Sequence, residues 1–335
     1  MSALQIISYH YVRDLQNSKF PNIKGLDTRI FQQQLDYLQS EFKIVTTEQV
    51  IASSNTSRDL PDGATWLTFD DGFIDHYEVV FPELLSRGLT AAFFPPAQPI
   101  LEHVVLDVHK IHFIIAMTEP EQLHKLLEVL FAEKDLESKT GKSFNEYFLE
   151  YGSPGQFDGP MPAFAKRMLQ FALPEYDRKL LINQLFNQVV TSDENAFARS
   201  LYVTTSQIKE MIAGGMFFGS HGFRHHHLDR ESAEDQLVDI QLGLKFLDGV
   251  GASTEEWVMC YPYGSYNDVT INILKQSNCS LALTVKSATA QVGSDSRYEL
   301  PRLDTNDLLT GQRLWFAHQV STNNHHEHSN HRKNQ

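Results

Sequence analysis

The chain has 335 residues, long enough to bury the core of one large domain or two ordinary ones. Its 28 Lys and Arg stand against 42 Asp and Glu, a formal charge of −14 without a basic run, which argues against nucleic acid or an anionic membrane surface as partner. Two cysteines, Cys260 and Cys279, exclude a disulfide scaffold and a cysteine-built zinc site, and turn attention to the 15 histidines.

The N-terminal stretch MSALQIISYHYVRDLQ has neither the basic start nor the apolar core of a signal peptide. No window reaches the ~18 apolar residues of a membrane span, so a cytoplasmic protein is expected. Leu4 to Tyr9 is short, apolar and bounded by polar residues, which suits a buried strand. Behind Asp27 and Thr28, the i, i+4, i+7 spacing of Phe31, Leu35 and Leu38 predicts an amphipathic helix. A strand over Phe42 to Val45, a short helix from Thr47 and a strand over Ala64 to Phe69 follow. The last of these runs into Asp70-Asp71-Gly72. Phe81 to Leu85 reads as helix, Arg87-Gly88 as its stop, and Thr90 to Phe94 as a fourth strand. This alternation predicts repeated βα units around a mostly parallel sheet or barrel, whose reactive groups gather at the C-terminal strand ends.

From about 101 to 200 the pattern turns helical, with long 3.6-period runs around Leu123 to Phe131 and Leu180 to Phe186, and reads as an insertion between βα units. His109 and His112 lie in it among apolar residues and read as packing. The βα rhythm then resumes. It comprises a helix over Ser206 to Ile212, a strand over Met216 to Gly219, a helix over Ala233 to Leu247, a strand over Trp257 to Cys260, a helix over Val269 to Gln276 and a strand over Ser280 to Val285. One domain over 1–320 is expected, followed by a polar, His-rich, disordered tail over 321–335.

Three strand ends carry chemistry. In Thr68-Phe69-Asp70-Asp71-Gly72, adjacent carboxylates leaving a strand point in different directions, so one can bind a metal while the other faces a reacting water. An Asp-Asp-Gly turn capping the next helix accounts for the same residues equally well. In Ser220-His221-Gly222-Phe223-Arg224-His225, the i, i+4 spacing of His221 and His225 lets both imidazoles meet one ion. In Cys260-Tyr261-Pro262-Tyr263-Gly264, proline stiffens and glycine frees a corner that presents backbone amides and two rings.

Together, in this order, the three segments resemble the polysaccharide deacetylase family, carbohydrate esterases built on the NodB-homology domain. Ser8-Tyr9-His10-Tyr11-Val12 is similar to the opening of its poly-N-acetylglucosamine deacetylase branch. The resemblance covers about 4–100 and 200–305. It implies an α/β fold, a distorted (β/α) barrel of about seven strands, and a divalent metal, usually zinc. Carried over by position, Asp71, His221 and His225 are the implied metal ligands, Asp70 the general base, and the Tyr263 N–H an oxyanion donor. The implied activity is hydrolysis of N-acetyl groups on a saccharide or glycan precursor, with acetate released. An O-acetyl esterase, another amide hydrolase and a catalytically silent carbohydrate binder are the alternatives. The family's arginine upstream of the Pro-Tyr turn is replaced here by Trp257-Val258-Met259-Cys260. Arg302, in Leu300-Pro301-Arg302-Leu303-Asp304 after an expected strand, is a candidate to supply that guanidinium, with Asp304 beside it. The family's late Leu-x-His segment has no clean copy. His318 reads as part of a terminal helix, His10 equally as a group facing the pocket or as a hydrogen-bonded strand-end histidine, and His10, Tyr261 and Pro262 are the candidate substrate contacts.

Overall fold

The computed structural model describes residues 2–56, 59–155, 158–293 and 295–308. The expected polar tail, and His318 with its terminal helix, lie outside the described residues. Two compact units divide the chain. One comprises Met1–Val12, Leu26–Ala97 and Val203 onward, the other Arg13–Gly25 and Gln98–Tyr202.

Seven strands organise the first unit: β1 (Ser2–Tyr9), β2 (Ala64–Asp70), β3 (Ala92–Phe94), β4 (Phe217–Phe218), β5 (Trp257–Cys260), β6 (Cys279–Ser287) and β7 (Leu300–Asp304). Their order is β4-β3-β2-β1-β7-β6-β5, and every neighbouring pair is parallel. Just past β4, the Ser220 N–H donates to the Val258 carbonyl at 2.9 Å and Ser220 accepts from the Cys260 N–H at 2.8 Å, joining the two edges. The result is the expected βα architecture, a nearly closed barrel of seven parallel strands with flanking helices.

Side-chain alternation divides the barrel wall into two faces. Leu4, Ile6, Trp66, Phe94, Val258, Cys260, Leu281, Leu283 and Leu300 belong to one buried cluster drawn from strands all around the ring. On the opposite face, Tyr9, Phe69, Phe93 and Phe218 stack ring on ring across β1 to β4, with centroids 4.8, 4.9 and 5.4 Å apart. Several helices start where side chains satisfy their first amides. Asp27 accepts from the Arg29 N–H ahead of the helix Thr28–Glu41, and Asn267 and Thr270 form a reciprocal capping box at Asp268–Gln276.

Two expectations change. Leu300–Asp304 is itself the last barrel strand instead of following one, because its parallel pairing with β1 and β6 tolerates Pro301. A short strand, Ala290–Val292, pairs antiparallel with the start of β1, an element with too few residues to show a period. The second unit is built mainly from helices. Phe20, Phe113, Phe186 and Phe197 pack edge to face within it, and buried Lys110 bonds Glu194 and Asn183 at 2.9 and 2.7 Å. His109 is buried there against the Tyr202 hydroxyl at 2.6 Å. No helix among the described residues is long and apolar enough to cross a membrane.

Gly219 sits at the closing seam, where an added Cβ would lie 2.5 Å from the Phe94 ring and 2.6 Å from the Val258 carbonyl oxygen. The second is backbone and cannot yield. Gly219→Ala is therefore expected to lose about 1–3 kcal/mol of stability, read as a lower denaturation midpoint, and an unchanged midpoint contradicts the seam.

Candidate active site

Inward-facing positions become polar toward the C-terminal mouth of the barrel. On β2, alternation carries Trp66 to Thr68 to Asp70, and on β1 it carries Ile6 to Ser8 to His10. Asp70 is 1% exposed, yet both of its carboxylate oxygens are hydrogen-bonded. Arg302 donates from its two terminal nitrogens to Oδ1 at 2.9 Å and Oδ2 at 2.7 Å. The guanidinium is held in turn, with Nε donating to the Thr284 carbonyl at 3.0 Å and a terminal nitrogen lying 3.4 Å from Thr68 Oγ1. Register explains why the arginine comes from β7. Ile7 pairs with Leu303 on one side and Leu67 on the other, so Arg302 shares the row of Trp66 and with it the inward face on which Thr68 and Asp70 follow along β2.

Burial pushes the Asp70 carboxyl up, but Arg302, with smaller contributions from His221 and His10, overrides it and holds the pKa at about 2. The Cys260 thiol is pushed well above its ordinary value by burial, so it stays protonated and lies 3.4 Å from Asp70 Oδ2 as a weak donor. It stands in the segment where the resemblance led us to look for an arginine.

Asp71 turns away from the strand through a left-handed backbone, φ 74°, with its N–H bonded to the Phe94 carbonyl at 3.1 Å. Its Oδ1 lies 3.6 Å from His221 Nε2 and 3.5 Å from His225 Nε2. Ligand atoms arranged tetrahedrally around zinc stand about 3.3 Å apart, so this carboxylate and two imidazoles fit a zinc-type cation and leave coordination positions open. His221 Nδ1 is engaged by the Cys260 carbonyl at 2.7 Å, which fixes the tautomer that leaves Nε2 bare. Burial lowers the His221 pKa, keeping the ring neutral as a metal ligand must be. The described residues also contain a second cluster, Asp70, His221 and Cys260.

The loop bearing both histidines is organised from below. Buried Asp239, on the helix Ala233–Val250, accepts from the N–H groups of Phe223 at 2.8 Å and Arg224 at 3.0 Å. Gly222, at φ 70°, is required because a Cβ there would meet Asp239 Oδ2 at 2.6 Å. Left-handed backbone recurs at His225 and Tyr263, both φ 58°. With Asp71, three of the six non-glycine residues of this kind among those described lie at one mouth, conformations that persist only where surroundings enforce them.

The remaining expected residues separate. His10 is 45% exposed with Nε2 3.8 Å from Asp70 Oδ2, so it does face the same opening. Tyr263 is also exposed, and its ring lies against His225 and flat on His227 at 4.0 Å. Tyr261 and Pro262 are buried, correcting their reading as substrate contacts: the Tyr261 ring stacks on Tyr266 and its hydroxyl donates to the Tyr298 carbonyl at 2.9 Å. They brace the turn that carries Tyr263. Asp304 is exposed and accepts from the Asn306 N–H at 2.8 Å, so it caps the next turn and is no neighbour of Arg302 in the site. The sequence reading singles out neither Asp239 nor His76. A lone acid on a helix and a histidine four residues past a glycine carry no signal of their own.

Residues 158–282 match the polysaccharide deacetylase family. That segment contains the Ser220–His225 and Tyr261–Gly264 turns, and the Asp70-Asp71 pair precedes it. No curated protein matches the sequence. Solved structures share the fold. The Streptococcus pyogenes deacetylase PplD in complex with acetate aligns with a TM-score of 0.54 at 17% identity over 90% of this chain and 92% of that one. IcaB from Ammonifex degensii aligns at 0.52 and 19% over 90% and 91%. A de-N-acetylase from Aggregatibacter actinomycetemcomitans aligns at 0.51 and 16% over 90% and 94%.

Removing the guanidinium leaves Asp70 buried and unpaired. Arg302→Met is expected to cost about 3–5 kcal/mol at neutral pH in the presence of chelator. In the parent, Asp70 stabilises the fold above the ordinary carboxyl pKa, and this is lost as pH falls toward 2. In the variant the buried acid titrates above its unfolded value, so the deficit should shrink as pH falls from 8 to 5. A deficit that is constant with pH contradicts the pairing.

Proposed function

This chain carries a polysaccharide deacetylase domain of the NodB-homology type, and from that premise we propose that it is a divalent-metal-dependent hydrolase that removes N-acetyl groups from a saccharide and releases acetate. The observation that carries the reading is the adjacency of two differently committed carboxylates. Asp71 turns toward His221 and His225, while Asp70 stays ionised on Arg302 at the same opening.

Asp71, His221 and His225 would hold the metal, which when bound supplies Lewis-acid polarisation of the acetyl carbonyl and a more acidic water. Asp70 accepts the proton of the attacking water. Its bidentate bond to Arg302 aims the carboxylate and stabilises its charge, while a carboxylate's further lone pairs remain for that proton. The left-handed turn at Tyr263 presents its N–H as the donor to the developing oxyanion. As the C–N bond breaks, the departing amine needs a proton. His10, at the same mouth and half exposed, donates it and is recharged from solvent. Water and the amide are thereby converted to acetate and a free amine on the sugar. The exposed Tyr263 ring, stacked with His227, offers an apolar face to a pyranose ring beside the reacting group.

Protein loaded with about one equivalent of zinc should release acetate from N-acetylated oligosaccharides and lose this with chelator. Asp70→Asn should lower turnover by ~10²-fold or more while retaining the metal, because removing a proton acceptor typically costs 10²–10⁴. Loss of metal from that variant contradicts the division of roles. Acetate from O-acetylated but not N-acetylated sugars contradicts the bond assignment.

A further inference from the structure

One buried titratable residue near the barrel mouth takes no part in this chemistry. His76 is 1% exposed and opens a single wide helical turn, His76–Val80, just after the Asp70-Asp71-Gly72 corner. Its ring packs among Phe69, Phe73 and Phe93, with centroids 5.5, 5.9 and 5.6 Å away. Such a cage would accept leucine or phenylalanine without penalty. Histidine instead brings two ring nitrogens that must leave water, and one of them, Nδ1, finds no hydrogen-bond partner among the described residues. Burial drives its pKa down to about 4, so the ring is neutral.

What the imidazole adds is a single bond. His76 Nε2 lies 2.9 Å from the His10 carbonyl, and because a carbonyl only accepts, Nε2 carries the proton. The neighbouring side chains continue the pattern. Asp75, also buried, accepts from the Val12 N–H at 3.3 Å, and the Tyr11 ring lies on Phe73 at 3.8 Å with 19° between the planes. His10, Tyr11 and Val12, where β1 leaves the barrel, are thus each held by the segment 73–76. That segment is the direct continuation of the strand carrying Asp70.

The spacing between His10 and Asp70 gives this clamp its meaning. At 3.8 Å the two side chains are too far apart for a hydrogen bond to set their separation. The His10 ring is half exposed, so packing around it is thin. Its place must come from its backbone. We propose that His76, with Asp75, is a positioning residue that holds the strand end so that the His10 imidazole stands over Asp70 at the reacting group. This rests on the deacetylase reading only in the role given to His10.

The test combines His76→Leu and His76→Gln with His10→Ala. The glutamine amide retains a donor near the position of Nε2 and leucine does not. Expected for His76→Leu is a fall in kcat of about 10-fold or more, with KM and zinc content near those of the parent, since misplacing a reacting group is costly. His76→Gln should recover most of it. In the His10→Ala background, His76→Leu should cost nothing further. An equal loss in both backgrounds makes His76 merely structural and overturns the proposal, as does full activity in His76→Leu. If His76→Leu fails to fold, Asp75→Ala in the same two backgrounds replaces it and is judged by the same non-additivity. A second readout needs no activity. In metal-free, 15N-labelled protein, the His10 ring signals, assigned by their absence in His10→Ala, should shift and broaden in His76→Leu. Unchanged His10 signals overturn the proposal. A parent protein that releases no acetate sinks the deacetylase reading and leaves the spectra to decide the clamp.

Discussion

A buried ion pair spans the barrel and much of the site depends on it. Arg302 leaves β7 in the row of Trp66, passes Thr68 and closes on both oxygens of Asp70, with β1 lying between the two strands. Two charges removed from water are costly unless geometry and further hydrogen bonds compensate, and here the pairing is bidentate and the guanidinium also donates from Nε to the Thr284 carbonyl. The consequence is functional. A carboxylate this deeply buried would otherwise be protonated at neutral pH and unable to accept a proton from water. Because the guanidinium rises from within the barrel, it approaches Asp70 from below and leaves the mouth open for substrate.

The two acids then diverge through backbone conformation. Asp70 still follows the strand, so its side chain lies on the inward face with Arg302. Asp71 is already left-handed, which swings its carboxylate toward His221 and His225. The histidine loop reaches its own shape through Asp239, which gathers two consecutive amides and admits only glycine at position 222. Neutral, tautomer-fixed imidazole, turned carboxylate and ionised carboxylate are therefore products of local geometry held by neighbouring elements.

Much of this was legible in the residues. Short continuous apolar runs mark buried strands such as Trp257 to Cys260, and capping residues mark helices such as the one behind Asp27. The Asp70-Asp71 pair is ambiguous alone, since a capping turn explains it equally well, and stands out only together with the His221/His225 spacing and the Tyr261–Gly264 turn at successive strand ends. What stayed hidden depends on register. That Arg302 shares the inward face of Trp66, Thr68 and Asp70 follows from the pairing of both strands with β1, which no local window contains. Tyr261 and Pro262 share a motif with Tyr263, but the tight turn over Pro262–Gly264, left-handed at Tyr263, leaves the first two buried and Tyr263 exposed. Asp304 sits two residues beyond Arg302 and so seemed its neighbour, yet its carboxylate is taken by the turn that follows. Asp239 and His76 act through backbone groups far along the chain, contacts that composition and spacing do not encode.

The central claim is that the metal belongs to Asp71, His221 and His225, leaving Asp70 to Arg302. X-ray absorption at the zinc edge of the singly loaded protein tests it directly, because the competing cluster of Asp70, His221 and Cys260 contains sulfur. The account predicts only nitrogen and oxygen ligands at about 2.0–2.2 Å, two of them imidazoles. A sulfur ligand at about 2.3 Å would place the ion on Cys260 and contradict it.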